Sequence, residues 1–132
     1  MKQLQKALLL PLLTLFHPPL YADFEAAEAS YRGGNHTIAF KQYHEAVENR
    51  DIRAYGKLAA LYLYGVGVEK NYSLAYVWFG LAADTGDKEA DRFQKAAASA
   101  MTREEIKQSD LALEEERHRL AAKPDVTIQP GL

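Results

Sequence analysis

The chain contains no cysteine. That removes disulfide staples, thiolate nucleophiles, thiolate zinc sites and a lipid-modified cysteine after a leader, so stability must come from packing. Long hydrophobic runs are also missing. The longest apolar stretch, Ala7 to Phe16, is broken by Pro11 and Thr14 and is about half of the roughly 20 residues that cross a bilayer. Nor is there an excess of positive charge, with 16 basic against 18 acidic residues. Nucleic-acid binders carry a basic stripe, and none is present. Histidine is scarce: His17, His36, His44 and His118 lack the i, i+4 spacing with a third ligand that a metal site needs, so no metal or cofactor is expected.

The 132 residues, 48% apolar and 26% charged, have the length of one domain and an ordinary globular composition. The first 22 read as a secretory signal: Lys2 and Lys6 lead, the apolar run follows, Pro18 and Pro19 end any helix, and Ala22 offers a small residue before a cut at Asp23. Cleavage there removes two lysines and no acid, leaving 14 basic and 18 acidic side chains, net −4. A periplasmic or secreted protein without a membrane anchor is the expectation.

Inside the remaining chain a repeat is written in alanines. Asn35, Ala39, Tyr43, Ala46 and Ala54 recur as Asn71, Ala75, Phe79, Ala82 and Ala90, each pair 36 positions apart. This period is near that of helical-hairpin arrays. Alanine lets helix backbones approach, and the ring fills the space beside it. Both asparagines stand where a helix must start, as favoured N-caps.

The spacing predicts six helices: Asp23 to Arg32, residues 36–49, residues 52–64, Tyr72 to about Ala83, Lys88 to about Ala100, and a last one ending near Ala122. Thr102 and Glu105 form a capping box for the last. Along it Ile106, Leu113 and Leu120 make a narrow stripe, while Glu114/His118 and Glu115/Arg119 are i, i+4 pairs for a solvated face. Residues 123–132, with two prolines and no period, read as a disordered tail.

The stretch Ala54 to Ala90 resembles the Sel-one-like repeat, a relative of the tetratricopeptide. The matching residues are Ala54, Leu58, Tyr62, Gly65-x-Gly67-Val68, Ala75, Trp78-Phe79, Ala82-Ala83 and Gly86, with Ala59 and Asn71 as mild departures. Residues 23–51 look like a degenerate first repeat, and 87–122 like the helical pair that closes such arrays. The resemblance implies an all-α fold, a short right-handed solenoid of antiparallel helix pairs over residues 23–122. Members with such leaders are typically bacterial envelope proteins that hold or regulate other proteins. It also implies a groove lined by the outward positions of the first, third and fifth helices. On the first these are Phe24, Glu28, Tyr31 and Arg32; on the third, Arg53, Gly56, Ala60, Leu63 and Tyr64. Leu63 and Tyr64 exceed the core pattern, and either line the groove or pack against the first or sixth helix.

Catalysis has little to work with. Gly65-Val66-Gly67 lacks the third glycine and the preceding strand of a dinucleotide loop, and the carboxylates lie on solvated helix faces without the apolar pocket that general-acid work requires. The expectation is a non-catalytic scaffold that binds another protein and self-associates weakly. The competing expectation is a small-molecule binder or enzyme with an enclosed pocket between helices.

Overall fold

A computed structural model describes residues 19–123. They form six helices, α1 (Pro19–Arg32), α2 (His36–Glu48), α3 (Arg53–Tyr64), α4 (Tyr72–Asp84), α5 (Lys88–Ala98) and α6 (Arg103–Ala122). There is no strand among the described residues, so the fold is all-α. Residues 1–18 of the expected leader, 1–22, and 124–132 of the expected tail, 123–132, lie outside them, and the last four residues of the expected leader belong to α1.

Consecutive helices pack as neighbours from α1 through α5. The alanines explain why they come so close. Ala39, Ala46, Ala54, Ala75, Ala82 and Ala90 are all at most 2% exposed, and Tyr43 and Phe79 fill the space beside them. Trp78 lies in the same core, between the rings of Tyr55 and His44.

The ends of the helices show where local chemistry decides. α1 begins at Pro19, ahead of the expected start at Asp23; a first-turn residue needs no N–H, which suits proline. Asn71 caps α4 by accepting from the Leu74 N–H at 2.9 Å, and Thr102 with Glu105 forms the capping box of α6. Asp87 accepts from Glu89 and Ala90 and starts α5. Asn35 occupies the N-cap position of α2 without a side-chain cap. Its ψ of 64° leaves the extended region that capping residues adopt.

Two glycines set close approaches of different kinds. Gly65 and Gly67 both have positive φ, as a helix-ending turn requires. Gly67 also lies against the first turn of α2, where a Cβ would fall 3.0 Å or closer to three backbone atoms of His36 and Thr37. Gly80 in α4 instead faces flexible side chains: a Cβ there would meet Gln94 Nε2 and Leu113 Cδ2, each at 2.6 Å.

Gly80 marks where α6 lies. It runs parallel to α4, through Tyr76 Oη donating to Asp110 at 2.7 Å, Leu113 over Gly80, and Arg117 donating to both oxygens of Asp84 at 2.7 and 2.9 Å. The expected closing pair of the fifth and sixth helices is therefore not a packed hairpin; both rest on α4. Its apolar stripe is too narrow to serve two helices: Leu113 and Leu120 are buried, while Ile106 is only half-buried.

The end of α6 reaches back to α2. Arg119 donates to both oxygens of Glu48 at 2.8 and 2.9 Å, and Lys123 Nζ donates to the Glu48 carbonyl at 3.0 Å and to its carboxylate. Arg119 also pairs with Glu116, and Arg117 with Glu114. These i, i+3 pairs replace the expected i, i+4 ones because both arginines also turn toward other helices. The Arg119 hydrogen bond, followed by Lys123, holds the Glu48 pKa down at about 2, against the effect of burial.

A carboxyl whose pKa falls on folding contributes stability above its unfolded value, near 4.5 here. That contribution is lost as pH falls toward 2. Glu48→Gln should therefore be less stable than the parent at neutral pH, with the gap closing between pH 4.5 and 2 in thermal melts. Gly67→Ala should cost about 3 kcal/mol, from left-handed strain plus a backbone clash. Gly80→Ala should cost about 1 kcal/mol or less, since the side chains can shift and alanine favours helix. Urea denaturation compares the two.

Candidate functional site

The outer stripe of α3 is set by helical arithmetic. At about 100° per residue, Gly56, Lys57, Ala60 and Tyr64 all fall within about 60° of Arg53. The opposite side carries Ala54, Tyr55, Leu58, Ala59 and Leu61 into the core. Leu63 lies about 80° from Arg53 on the Ala59 side and is 8% exposed, whereas Tyr64 is 61% exposed. The expected groove residue Leu63 is thus a core residue, and Tyr64 stands at the surface.

Between this stripe and α5 lies an open groove of about 480 Å³. Its floor is aromatic: Phe79 of α4 and Phe93 of α5 stack with centroids 5.4 Å apart and planes 18° from parallel. Gly56 and Ala60 keep the α3 wall low, Ala90 does the same on α5, and Tyr64 stands at one end. The other end is formed by Ile52 and the α4–α5 turn, Thr85 to Asp87. A Cβ on Gly56 would lie 3.5 Å from Asp87 Oδ2, ordinary contact.

The rim is charged, Arg53 and Lys57 on the α3 side and Asp87 and Glu89 on the α5 side. Asp87 caps α5, and Glu89 pairs with Arg92. Arg53 is bound by both oxygens of Asp51, at 2.9 and 2.6 Å, and by Glu25 at 3.1 Å. These carboxylates, Asp51 first, raise its pKa further above the ordinary guanidinium value.

The expected α1 residues do not line this groove. They form a seam beside it. Phe24 lies under the Arg53 guanidinium, 4.2 Å from ring centre to Cζ. Glu28 accepts from the Tyr43 hydroxyl and pairs with Lys57 at 3.1 Å. Its pKa is lowered, first by Tyr43 and then by Lys57, while burial first and Glu28 second push Tyr43 up. Tyr31 is 43% exposed and lies against the His36 ring, and Arg32 is exposed. The third-helix positions Arg53, Gly56, Ala60 and Tyr64 come together in the groove. Phe24 and Glu28 support its α3 wall from behind, and Tyr31 and Arg32 lie apart from it.

The resemblance implied the fifth helix as a groove wall without naming residues on it; those that line it are Asp87, Glu89, Ala90 and Phe93. The signal was present: Ala90 is the offset partner of Ala54, and Phe93 follows it by three residues on the same helical face. Among the described residues no three His, Asp or Glu side chains converge. No described helix is long and apolar enough to cross a membrane.

No family model, curated protein or solved structure matches this chain. The groove itself carries the functional argument.

The neighbours Leu63 and Tyr64 should respond oppositely to truncation. Leu63→Ala should cost about 2–3 kcal/mol, as buried leucines do. Tyr64→Ala should stay within about 0.5 kcal/mol of the parent. Equal losses in chemical denaturation would refute this division of α3.

Proposed function

We propose that the chain is a non-catalytic adaptor of the Sel-one-like kind, exported to the bacterial envelope, which holds another protein in the α3–α5 groove. One observation carries the reading. Half-buried Phe93, stacked on the buried Phe79, forms the floor of an open groove between walls of glycine and alanine, beneath a rim of both charges. Interfaces favour this composition, with aromatic anchors at the centre and polar groups around them. The five residue pairs 36 apart, whose alanines and rings are all buried, support the family assignment. The pattern of the first 22 residues supports export.

The reading without catalysis draws on how the nearby acids are used. Asp87 spends its carboxylate on the start of α5, and Glu89 on Arg92. An enclosed pocket with convergent polar groups would favour a small ligand, and the groove is open along its length.

Gly56→Leu raises the α3 wall into the groove while every charged residue of the rim is kept. A purified partner captured by the parent should be lost, with affinity falling at least about tenfold, or 1.4 kcal/mol. Melting should change little. Full retention by Gly56→Leu and by Tyr64→Ala would rule this groove out as the binding surface.

A further inference from the structure

Every turn between the described helices except one breaks the chain with a left-handed residue. Gly34, Arg50, Gly65 with Gly67, and Gly86 serve the first four turns, all at positive φ. The turn between α5 and α6, Ser99 to Thr102, has no such residue. Nor does any glycine or proline occur from Lys88 to Ala122. Ser99 N–H donates to Lys95 O at 3.0 Å, and the Ala100 and Met101 N–H groups donate to Ala97 O and Ala98 O at 3.1 and 3.0 Å. The chain therefore stays in tightened helical turns through Met101, and the break rests on Thr102, whose ψ is 163°. Alanine and methionine are good helix formers, and threonine is tolerated. Local chemistry thus permits one continuous helix over residues 88–122.

What holds α6 in its folded-back position lies on α4 and α2. Asp110, Leu113 and Arg117 meet Tyr76, Gly80 and Asp84 of α4 in step, so α6 is parallel to α4. Arg119 and Lys123 end on Glu48 of α2. None of these anchors is on α5. That helix runs the other way: on the two sides of the Gly86 turn, Phe79 stacks on Phe93, and Tyr76 O accepts from Gln94 at 3.2 Å, so α5 is antiparallel to α4. If Thr102 turned helical, α6 would continue the line of α5, away from its own α4. Its seat needs a parallel α4. A two-fold axis across the straightened helix supplies one, because it reverses the direction of the second copy's α4.

We infer that residues 88–122 also form one unbroken helix, about 50 Å long, through which two copies of this chain exchange α6, each laying it on the α4 and α2 of the other. Every α6 anchor of the monomer is remade between copies, which is what makes swapping a low-cost route to a dimer. The Thr102–Glu105 capping box favours the folded-back turn, and rising protein concentration favours exchange. α5 keeps its place beside α3, so both α3–α5 grooves persist in one particle. The exchange does not depend on what the groove binds.

Asp84 and Arg117 give the test, since they lie on opposite sides of the exchanged contact and outside the groove. Asp84→Arg sets a like charge against Arg117 of its own chain, and Arg117→Asp does the same against Asp84. A swapped dimer with one copy of each restores opposite charges at both contacts. The two full chains are unfolded together in urea and refolded in equal amounts, and native mass spectrometry counts the species. The heterodimer should exceed either homodimer by about tenfold or more, because like charges are disfavoured where they meet. Arg103→Pro is then added to both chains. Arg103 is exposed and takes the first position of α6, after an extended Thr102. Proline suits that position and interrupts a fused helix, so it should abolish the heterodimer while the helical signal and melting of the monomer are kept. If either single variant does not fold alone, its helical circular dichroism should return on refolding with the other and be lost again with Arg103→Pro. A mixture with no heterodimer above the statistical share overturns the inference. So does a heterodimer that survives Arg103→Pro.

Discussion

Helix backbones can lie against one another only where no side chain holds them apart, and in this chain alanine and glycine mark every such place. Ala39, Ala46, Ala54, Ala75, Ala82 and Ala90 are nearly or completely sealed from solvent. Each gives up apolar area of its own so that a ring such as Tyr43, Phe79 or Trp78 can bury more. The same economy of side-chain volume makes the groove. Gly56, Ala60 and Ala90 continue the small-residue theme to a face with no further helix to receive them. Phe93 is thereby left half-buried at the bottom of an open channel, stacked on the buried Phe79.

Charge does the work at the edges of this packing. Around α3, Arg53 and Lys57 link back to Asp51, Glu25 and Glu28. They hold the wall upright, with the Arg53 guanidinium over the Phe24 ring. Exposed pairs of this kind are individually weak, so they position the wall more than they stabilise the fold. Glu48 differs, because one carboxylate takes two cations and a bidentate arginine geometry.

Most of the helices were legible because their boundaries rest on local chemistry. The glycine turns, Asn71 and the Thr102–Glu105 box act within a few residues and can be read in order along the chain. What was not legible depended on long-range geometry. Asn35 looked like the equal of Asn71, but its ψ of 64° leaves the extended region from which the Asn71 side chain caps. Leu63 and Tyr64 are adjacent and both apolar, and only their angles about the α3 axis separate core from surface. The stripe of α6 showed one buried side without saying which helix it meets. Gly80, which admits Leu113, gave no sign of its role in a run that is apolar nearly all round. The groove residues of α3 followed from the family likeness. The same likeness implied the fifth helix as a wall, but the repeat offset marked only Ala90 on it, and which other residues face the groove depends on where α4 places that helix.

Arrays built from adjoining helical units are one-dimensional: each unit leans on the next, and the far end can peel away first. The contact of Arg119 and Lys123 with Glu48 joins residues more than 70 positions apart, bridging from the last helix to the first hairpin. That converts an open line into a ring. The ring takes in α2, α3, α4 and α6, with α1 and α5 packed onto it, so loosening α6 also frees the end of α2, and the small domain gains a cooperativity that its length alone would not give it.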